Sequence, residues 1–272
     1  TPTNQPQGYV LNSTIEGCIQ MKSYLSGNPG LRVALNEDLV VGKENAVGYA
    51  GVVLDDCNFH ECVNLDDFES TRTLALIPPD GEFVVMNYRV TSEFRAPFRI
   101  FPVIEETSPF KVELLLKVRA DMPEANYGTN VVIRFPVPKS AATVTPELGP
   151  GAIVPAAKGV AAAVAAAGGG GALGGPGQTA EYVAKDREVV WTIKKFQGGS
   201  EHTLRTRITL SAPSTSSIRK EMGPVSMSFE VPMYNVSNLQ VRYLRIAEVH
   251  KSYKPLRWVR YVTTSNSYVC RL

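Results

Sequence analysis

An all-β protein, a sandwich assembly of elongated form, is what this sequence predicts, on three observations. Short segments alternate apolar and polar residues with a period of two, as in Thr203 to Leu210, where Leu204, Thr206, Ile208 and Leu210 oppose Thr203, Arg205, Arg207 and Thr209. Such half-buried, half-wet strands suit antiparallel sheets. Turn signals such as Asn28-Pro29-Gly30 and Pro78-Pro79-Asp80-Gly81 punctuate them. No segment carries the pattern of a long amphipathic helix.

In chain order, Thr1 to Gln7 holds two prolines and is excluded from a central strand. Tyr9 to Asn12 and Ile15 to Leu25 read as a hairpin, with Ile19, Met21 and Ser23 on one face and Cys18, Gln20, Lys22 and Tyr24 on the other. Leu31 to Val41 reads as a strand pair around Asn36-Glu37-Asp38, and Gly42 to Gly51 as a surface loop. Leu65 to Ser70 has no clear period and reads as a turn. Strands are expected over Thr73 to Ile77, Glu82 to Val90, Phe98 to Ile104, Lys111 to Ala120 and Asn130 to Val137. Gly149 to Gln178 is rich in alanine and glycine and reads as a disordered surface insertion. Its Gly169-x-Gly171-x-x-Gly174 lacks the preceding strand and following helix of a dinucleotide site, so it reflects composition. Later strands are expected over Glu188 to Lys194, Val225 to Val231 and Leu239 to Ile246, the last with a bulge near Tyr243-Leu244. Leu256 to Val262 alternates bulky residues with Arg257 and Arg260 and reads as a two-faced strand.

Composition narrows function. The chain has 272 residues, 44% of them hydrophobic and 20% charged, enough for a core. A formal net charge of +2 is too mild to point to nucleic acid. No apolar run approaches the ~20 residues of a membrane span, and no signal peptide is evident. Cys18, Cys57, Cys62 and Cys270 are too sparse for a disulfide scaffold and read as free thiols of a cytosolic protein. The sequons at Asn12 and Asn235 are accordingly chance matches. Cys57, His60 and Cys62 could offer three metal ligands, but on an extended strand the two cysteines, five apart, face opposite ways. Neither a Gly-x-Ser-x-Gly elbow nor a phosphate loop is present. No cofactor, metal or enzymatic activity is therefore expected.

Trp258 between Arg257 and Arg260, with Lys251 and Lys254 nearby, pairs a flat apolar surface with fixed positive charge. That suits capture of an aromatic, acidic or peptide ligand. The same residues also fit a solvated, lysine-protected edge strand.

Several segments are similar to the medium (mu) subunits of vesicle adaptor complexes. They include Met21 to Gly27, Asp55 to His60, Ile77 to Phe83, Pro224 to Phe229, Val241 to Leu244 and Trp258 to Tyr261. Leu35 to Leu39, Gly199 to Leu204 and Met233 to Ser237 resemble the complex-four branch in its plant-type form. The resemblance implies a mu-homology domain, an elongated two-part immunoglobulin-like β-sandwich with one subdomain inserted in the other. Residues 1 to about 101 with 236–272 would form the first part, and about 102–235 the second, holding the Ala/Gly-rich loop 149–178. It also implies recognition of Tyr-X-X-Φ signals, Φ being bulky and apolar, in cytosolic tails of transmembrane cargo. The partners would be other subunits of a heterotetrameric complex, peripheral on trans-Golgi network or endosomal membranes and coated vesicles.

By the same resemblance, Lys22, Val241, Leu244, Arg257, Trp258, Val259 and Arg260 would form the tyrosine-signal pocket. Trp258, Lys22 and Arg260 would sandwich the ring, while Val241, Leu244 and Val259 line the Φ pocket. The peptide would pair with the strand bearing Trp258. The family's first strand and N-terminal assembly domain have no counterpart here, so a fragment of a longer subunit is expected. A second signal-binding face would use Phe59 and Glu69, with Asn87 standing where the family has an arginine. Structurally, Phe59 could instead belong to the core and Glu69 to a solvated turn. A lipid-contacting module using Lys251, Lys254 and Arg257, or a purely structural sandwich, is the alternative.

Overall fold

The computed structural model describes residues 13–42, 51–92, 94–149, 177–214, 218–247, 255–265 and 268–272. The expected strand Tyr9 to Asn12, the loop over residues 43–50, the glycine fingerprint and nearly all of the Ala/Gly-rich insertion lie outside them, as do Lys251 and Lys254. The chain forms two compact units, Ala96–Tyr234 with Tyr261–Leu272, and Val10–Arg95 with Asn235–Arg260.

In the second unit, β1 (Ile15–Ser23), β5 (Asp56–Phe59) and β8 (Gly81–Val90) make an antiparallel sheet in the order β1-β8-β5. Another sheet orders β17 (Tyr243–Ile246), β2 (Leu31–Ala34), β7 (Thr73–Leu76) and β6 (Val63–Asn64) as β17-β2-β7-β6. The inward residues of β1 are those expected, Ile19, Met21 and Ser23, because a period of two assigns faces without knowledge of the partner strand. Pairing was not legible in that way. β2 and β3 (Leu39–Val41) do not form the expected pair: β2 lies between β17 and β7, and β3 runs parallel to β4 (Val52–Leu54). Residues 65–70, expected as a turn, lead into a short helix, α1 (Phe68–Thr71), with Phe68 buried. The core holds Leu35, Leu54, Leu74, Val85 and Met86.

The first unit is a sandwich. One sheet orders β12 (Ala141–Leu148), β15 (Glu201–Leu210), β10 (Lys111–Ala120) and β9 (Phe98–Ser108) as β12-β15-β10-β9. Its partner runs β13-β14-β11-β16-β18, from β13 (Gln178–Val183), β14 (Glu188–Gln197), β11 (Tyr127–Pro136), β16 (Val225–Pro232) and β18 (Val262–Thr264), with β19 (Tyr268–Cys270) also on β16. Between them Phe98, Leu114, Leu116, Phe135, Trp191 and Phe196 are fully buried. A second short helix, α2 (Ile218–Glu221), buries Ile218. β12 and β13 escaped the sequence reading. β12 contains Pro146, which a ladder tolerates at a sheet edge, and both strands are edges.

Polar side chains tie the two layers. Trp191 Nε1–H donates to Gln178 Oε1 at 3.3 Å, and Gln178 Nε2 lies 3.1 Å from His202 Nδ1. Burial lowers the His202 pKa, which keeps the ring neutral and able to accept that bond. Tyr268 donates to the Phe98 carbonyl at 2.9 Å, and burial above all pushes its pKa up to about 12. Thr206 is fully buried in this core with no hydrogen-bond partner for its hydroxyl. Thr206→Val should therefore stabilise the protein by about 1 kcal/mol in urea denaturation. An unchanged or lowered midpoint would show that the hydroxyl is satisfied.

Two expectations shift. The C-terminal residues 261–272, expected with the first subdomain, lie in the unit built on β9 to β16, because β18 and β19 pair with β16. The boundary near 101 falls at residues 95 and 96, since β9 pairs with β10 from Phe98 onward. Leu256 to Val262 is not a continuous strand: only Val262 enters a ladder, and Leu256 to Arg260 are all exposed. Burial of one face is what pins a strand's register, and here neither set of alternating residues has found a core.

Candidate functional site

The residues expected at the tyrosine-signal pocket occupy three places in the second unit. Lys22 projects from the outward face of β1, directly opposite Glu82 on β8. Its ammonium meets the Glu82 carboxylate at 2.5 Å and sits 5.6 Å from the centre of the Tyr24 ring. The Glu82 hydrogen bond, reinforced by its charge, raises the lysine pKa. Val241 and Leu244 are half-buried and pack on the core, Leu244 opposite Val33 in the β17–β2 ladder. Arg257 donates from Nη1 to the Leu244 carbonyl at 2.8 Å, which ties the following stretch to β17. Trp258 is 78% exposed and Leu256 88%, with Val259 and Arg260 also exposed.

The structure thus brings Arg257 to Leu244 and seats Val241 and Leu244 on one core. Lys22 is engaged by Glu82 and Tyr24, and Trp258 extends into solvent. Exposed tryptophan and leucine beside arginine, on backbone that enters no sheet ladder among the described residues, suit one kind of contact. They can bury an apolar or aromatic side chain while the backbone pairs with an incoming extended chain.

The second expected face does not converge. Asn87 pairs across β8 with Cys18 on β1 and Asn58 on β5, and all three are exposed on the outward face. Phe59 pairs with Met86, on the inward side, and its ring meets Phe68 edge-on at 5.1 Å. Adjacent strand positions point to opposite faces, so Asn58 and Phe59 diverge, and Asn87 goes with Asn58. Glu69 is exposed on the first turn of α1. Phe59 is partly buried and packs against the core. Phe59→Ala should cost about 2 kcal/mol of stability, below the range for a fully buried phenylalanine because the ring is half-exposed. Loss of peptide binding at unchanged stability would instead return Phe59 to a docking face.

Burial governs the chemistry of three of the four thiols. All four cysteines are free, and burial above all raises the pKa of Cys57, Cys62 and Cys270, making their thiolates scarcer. β5 ends at Phe59, and the Cys62 N–H turns back to His60 Nδ1 at 3.3 Å. Among the described residues no group of three or more His, Cys, Asp or Glu side chains is placed to hold a metal. A recess beside β17, formed by residues from three distant segments, was not visible in the sequence at all.

The model of the adaptor complexes medium subunit family matches residues 3–272. The chain is 47% identical over 277 residues to the AP-4 complex subunit mu of Arabidopsis thaliana, covering 99% of this chain and 56% of that protein. It is 32% identical over 279 residues to the AP-2 complex subunit mu of Dictyostelium discoideum, covering 98% of this chain and 57% of that protein. The chain therefore spans just over half the length of these curated relatives. Among solved structures, the yeast delta-COP-I mu-homology domain superposes with a TM-score of 0.58 at 12% identity, covering 93% of this chain and 86% of that one. A yeast delta-COP-I mu-homology domain complexed with a Dsl1 WxWxV peptide gives 0.55 at 11% identity, covering 92% and 86%. At such identities the likeness concerns fold alone, and that fold is the all-β mu-homology sandwich. The chain belongs to the adaptor complexes medium subunit family.

Proposed function

We propose that this chain recognises cargo for an adaptor complex by binding Tyr-X-X-Φ signals in the cytosolic tails of transmembrane proteins, without catalysis. The observation that carries this reading is the run Leu256 to Arg260, five consecutive exposed residues that include a tryptophan and a leucine and enter no ladder among the described residues. Large apolar side chains left in water on a folded unit mark an interaction surface. Backbone outside a ladder supplies the hydrogen bonds that a peptide strand needs. The tyrosine ring would pack on Trp258, and the Φ side chain would enter the half-buried margin made by Val241, Leu244 and Val259.

Burying one tyrosine and one leucine contributes roughly 1.5–3 kcal/mol each. After the cost of association, the affinity should be on the order of micromolar, which suits reversible sorting. The 47% identity to an AP-4 mu subunit favours a complex-four role, with sister subunits as partners and trans-Golgi network or endosomal membranes as the place of action. Titration of a fluorescent Tyr-X-X-Leu peptide, with its tyrosine-to-alanine counterpart as control, tests the reading. Equal binding of the two peptides would end it. No observation favours the lipid-contacting alternative: Arg257 is bound to a backbone carbonyl, and Lys251 and Lys254 lie outside the described residues.

A further inference from the structure

A recess of about 290 Å³ opens in the second unit, lined by Ala34, Glu37, Ser70, Thr71, Thr73, Arg242 and Tyr243. Its chemistry is two-sided. The cationic side is Arg242, whose guanidinium meets the Glu37 carboxylate, and Arg245 lies nearby against the Tyr243 ring, 4.7 Å from its centre. Arg245 stands directly opposite Arg32 in the β17–β2 ladder, and Arg32 is itself paired with the Asp67 carboxylate at 3.6 Å. The other side is made of hydroxyl groups. Thr71 spends its proton on the Asp67 carbonyl at 2.7 Å, and Ser70 points to the same carbonyl at 3.4 Å. Those oxygens therefore present lone pairs to the recess.

We propose that this recess receives the carboxylate side chain of an acidic residue in a peptide partner, and that Glu37 occupies the place in the unliganded chain. Glu37 shows what the recess accepts, a carboxylate on Arg242, and its own side chain is 77% exposed. An ion pair so exposed is worth little, so a competing carboxylate displaces it at small cost. The hydroxyl side selects between anions. A peptide offers N–H donors beside its carboxylate, and these match the lone pairs of Ser70 and Thr71. A phosphate, with acceptor oxygens on every side, would face those lone pairs unfavourably. This inference stands apart from the tyrosine-signal reading, because it uses no residue of the Trp258 stretch.

The test is an NMR titration of the arginine side-chain Nε–H signals with N-acetyl-glutamic acid amide, its glutamine analogue and inorganic phosphate. The glutamyl compound should shift the Arg242 signal saturably while the glutamine analogue leaves it in place. Glu37→Gln should tighten binding about threefold, the return from removing a weak internal competitor, and Arg242→Gln should abolish it. Both side chains reach solvent, so the variants should fold, which a thermal melt verifies. Equal shifts with phosphate, or an affinity indifferent to Glu37→Gln, would overturn the assignment. Trp258→Ala should leave this titration unchanged, which separates its failure from that of the tyrosine site.

Discussion

Trp258→Ala should lower affinity for a Tyr-X-X-Leu peptide by at least about tenfold while shifting stability by no more than about 0.5 kcal/mol. The two halves follow from one number. With 78% of its surface in water, the indole contributes little to folding. Nearly all of that surface remains available to a ligand, and an aromatic anchor commonly dominates a small interface. Fluorescence anisotropy on the variant, paired with urea denaturation, gives both quantities. Unchanged affinity would remove Trp258 from the site. A large loss of stability would mean that the stretch is packed after all.

Asp121→Asn should destabilise the first unit by about 3 kcal/mol at neutral pH. Arg99 on β9 and Arg119 on β10 stand directly opposite one another, an arrangement that repels if left alone. The Asp121 carboxylate, 3% exposed, lies between them: Arg119 Nε donates to Oδ1 at 2.7 Å, and Arg99 Nε reaches Oδ2. Burial pushes the carboxyl pKa up, but the Arg119 hydrogen bond and the two guanidinium charges outweigh it, so the net direction is down. A folded-state pKa below the unfolded one means stability present above about pH 3.9 and lost as pH falls through the lower, folded value. The wild type should lose this contribution on acidification, whereas the asparagine variant has none to lose. The gap between the two should therefore narrow as the pH falls below about 3.9. A constant gap, or none at pH 7, would contradict the bridging role.

Strand existence was largely legible in the sequence because alternation is local. β10 begins and ends where the pattern does, at Lys111 and Ala120. Partnership was not, because it is decided by residues far away. Leu31 to Val41 looks like a hairpin around Asn36, yet β2 takes β7 and β17 as neighbours. Edge strands were missed because one side of their ladder is open and their patterns are correspondingly loose, as β12 with Pro146 shows. How the residues named for the pocket are placed was only partly legible. Val241 and Leu244 do share a core, whereas the strand inferred for Leu256 to Val262 lacked a buried face. Asn87 and Phe59 could be separated only by the β5–β8 register. The recess at Arg242 depends on three segments meeting, and no window of sequence contains them.

The place of β17 in its sheet also bears on how the molecule comes to exist. β2 finds β7 nearby in the chain, but its other neighbour comes much later; the bond from Gln240 N–H to Asn36 Oδ1 joins residues 204 apart. During synthesis the second unit must wait, one edge of β2 unpaired, until β17 has emerged. Such late, long-range closure folds slowly and leaves an exposed edge that is prone to aggregation. The segment that completes this sheet, Asn235–Arg260, is also the one that carries Trp258. A ribosome-bound or truncated chain would thus lack the Trp258 stretch for the same reason that it lacks a finished sheet.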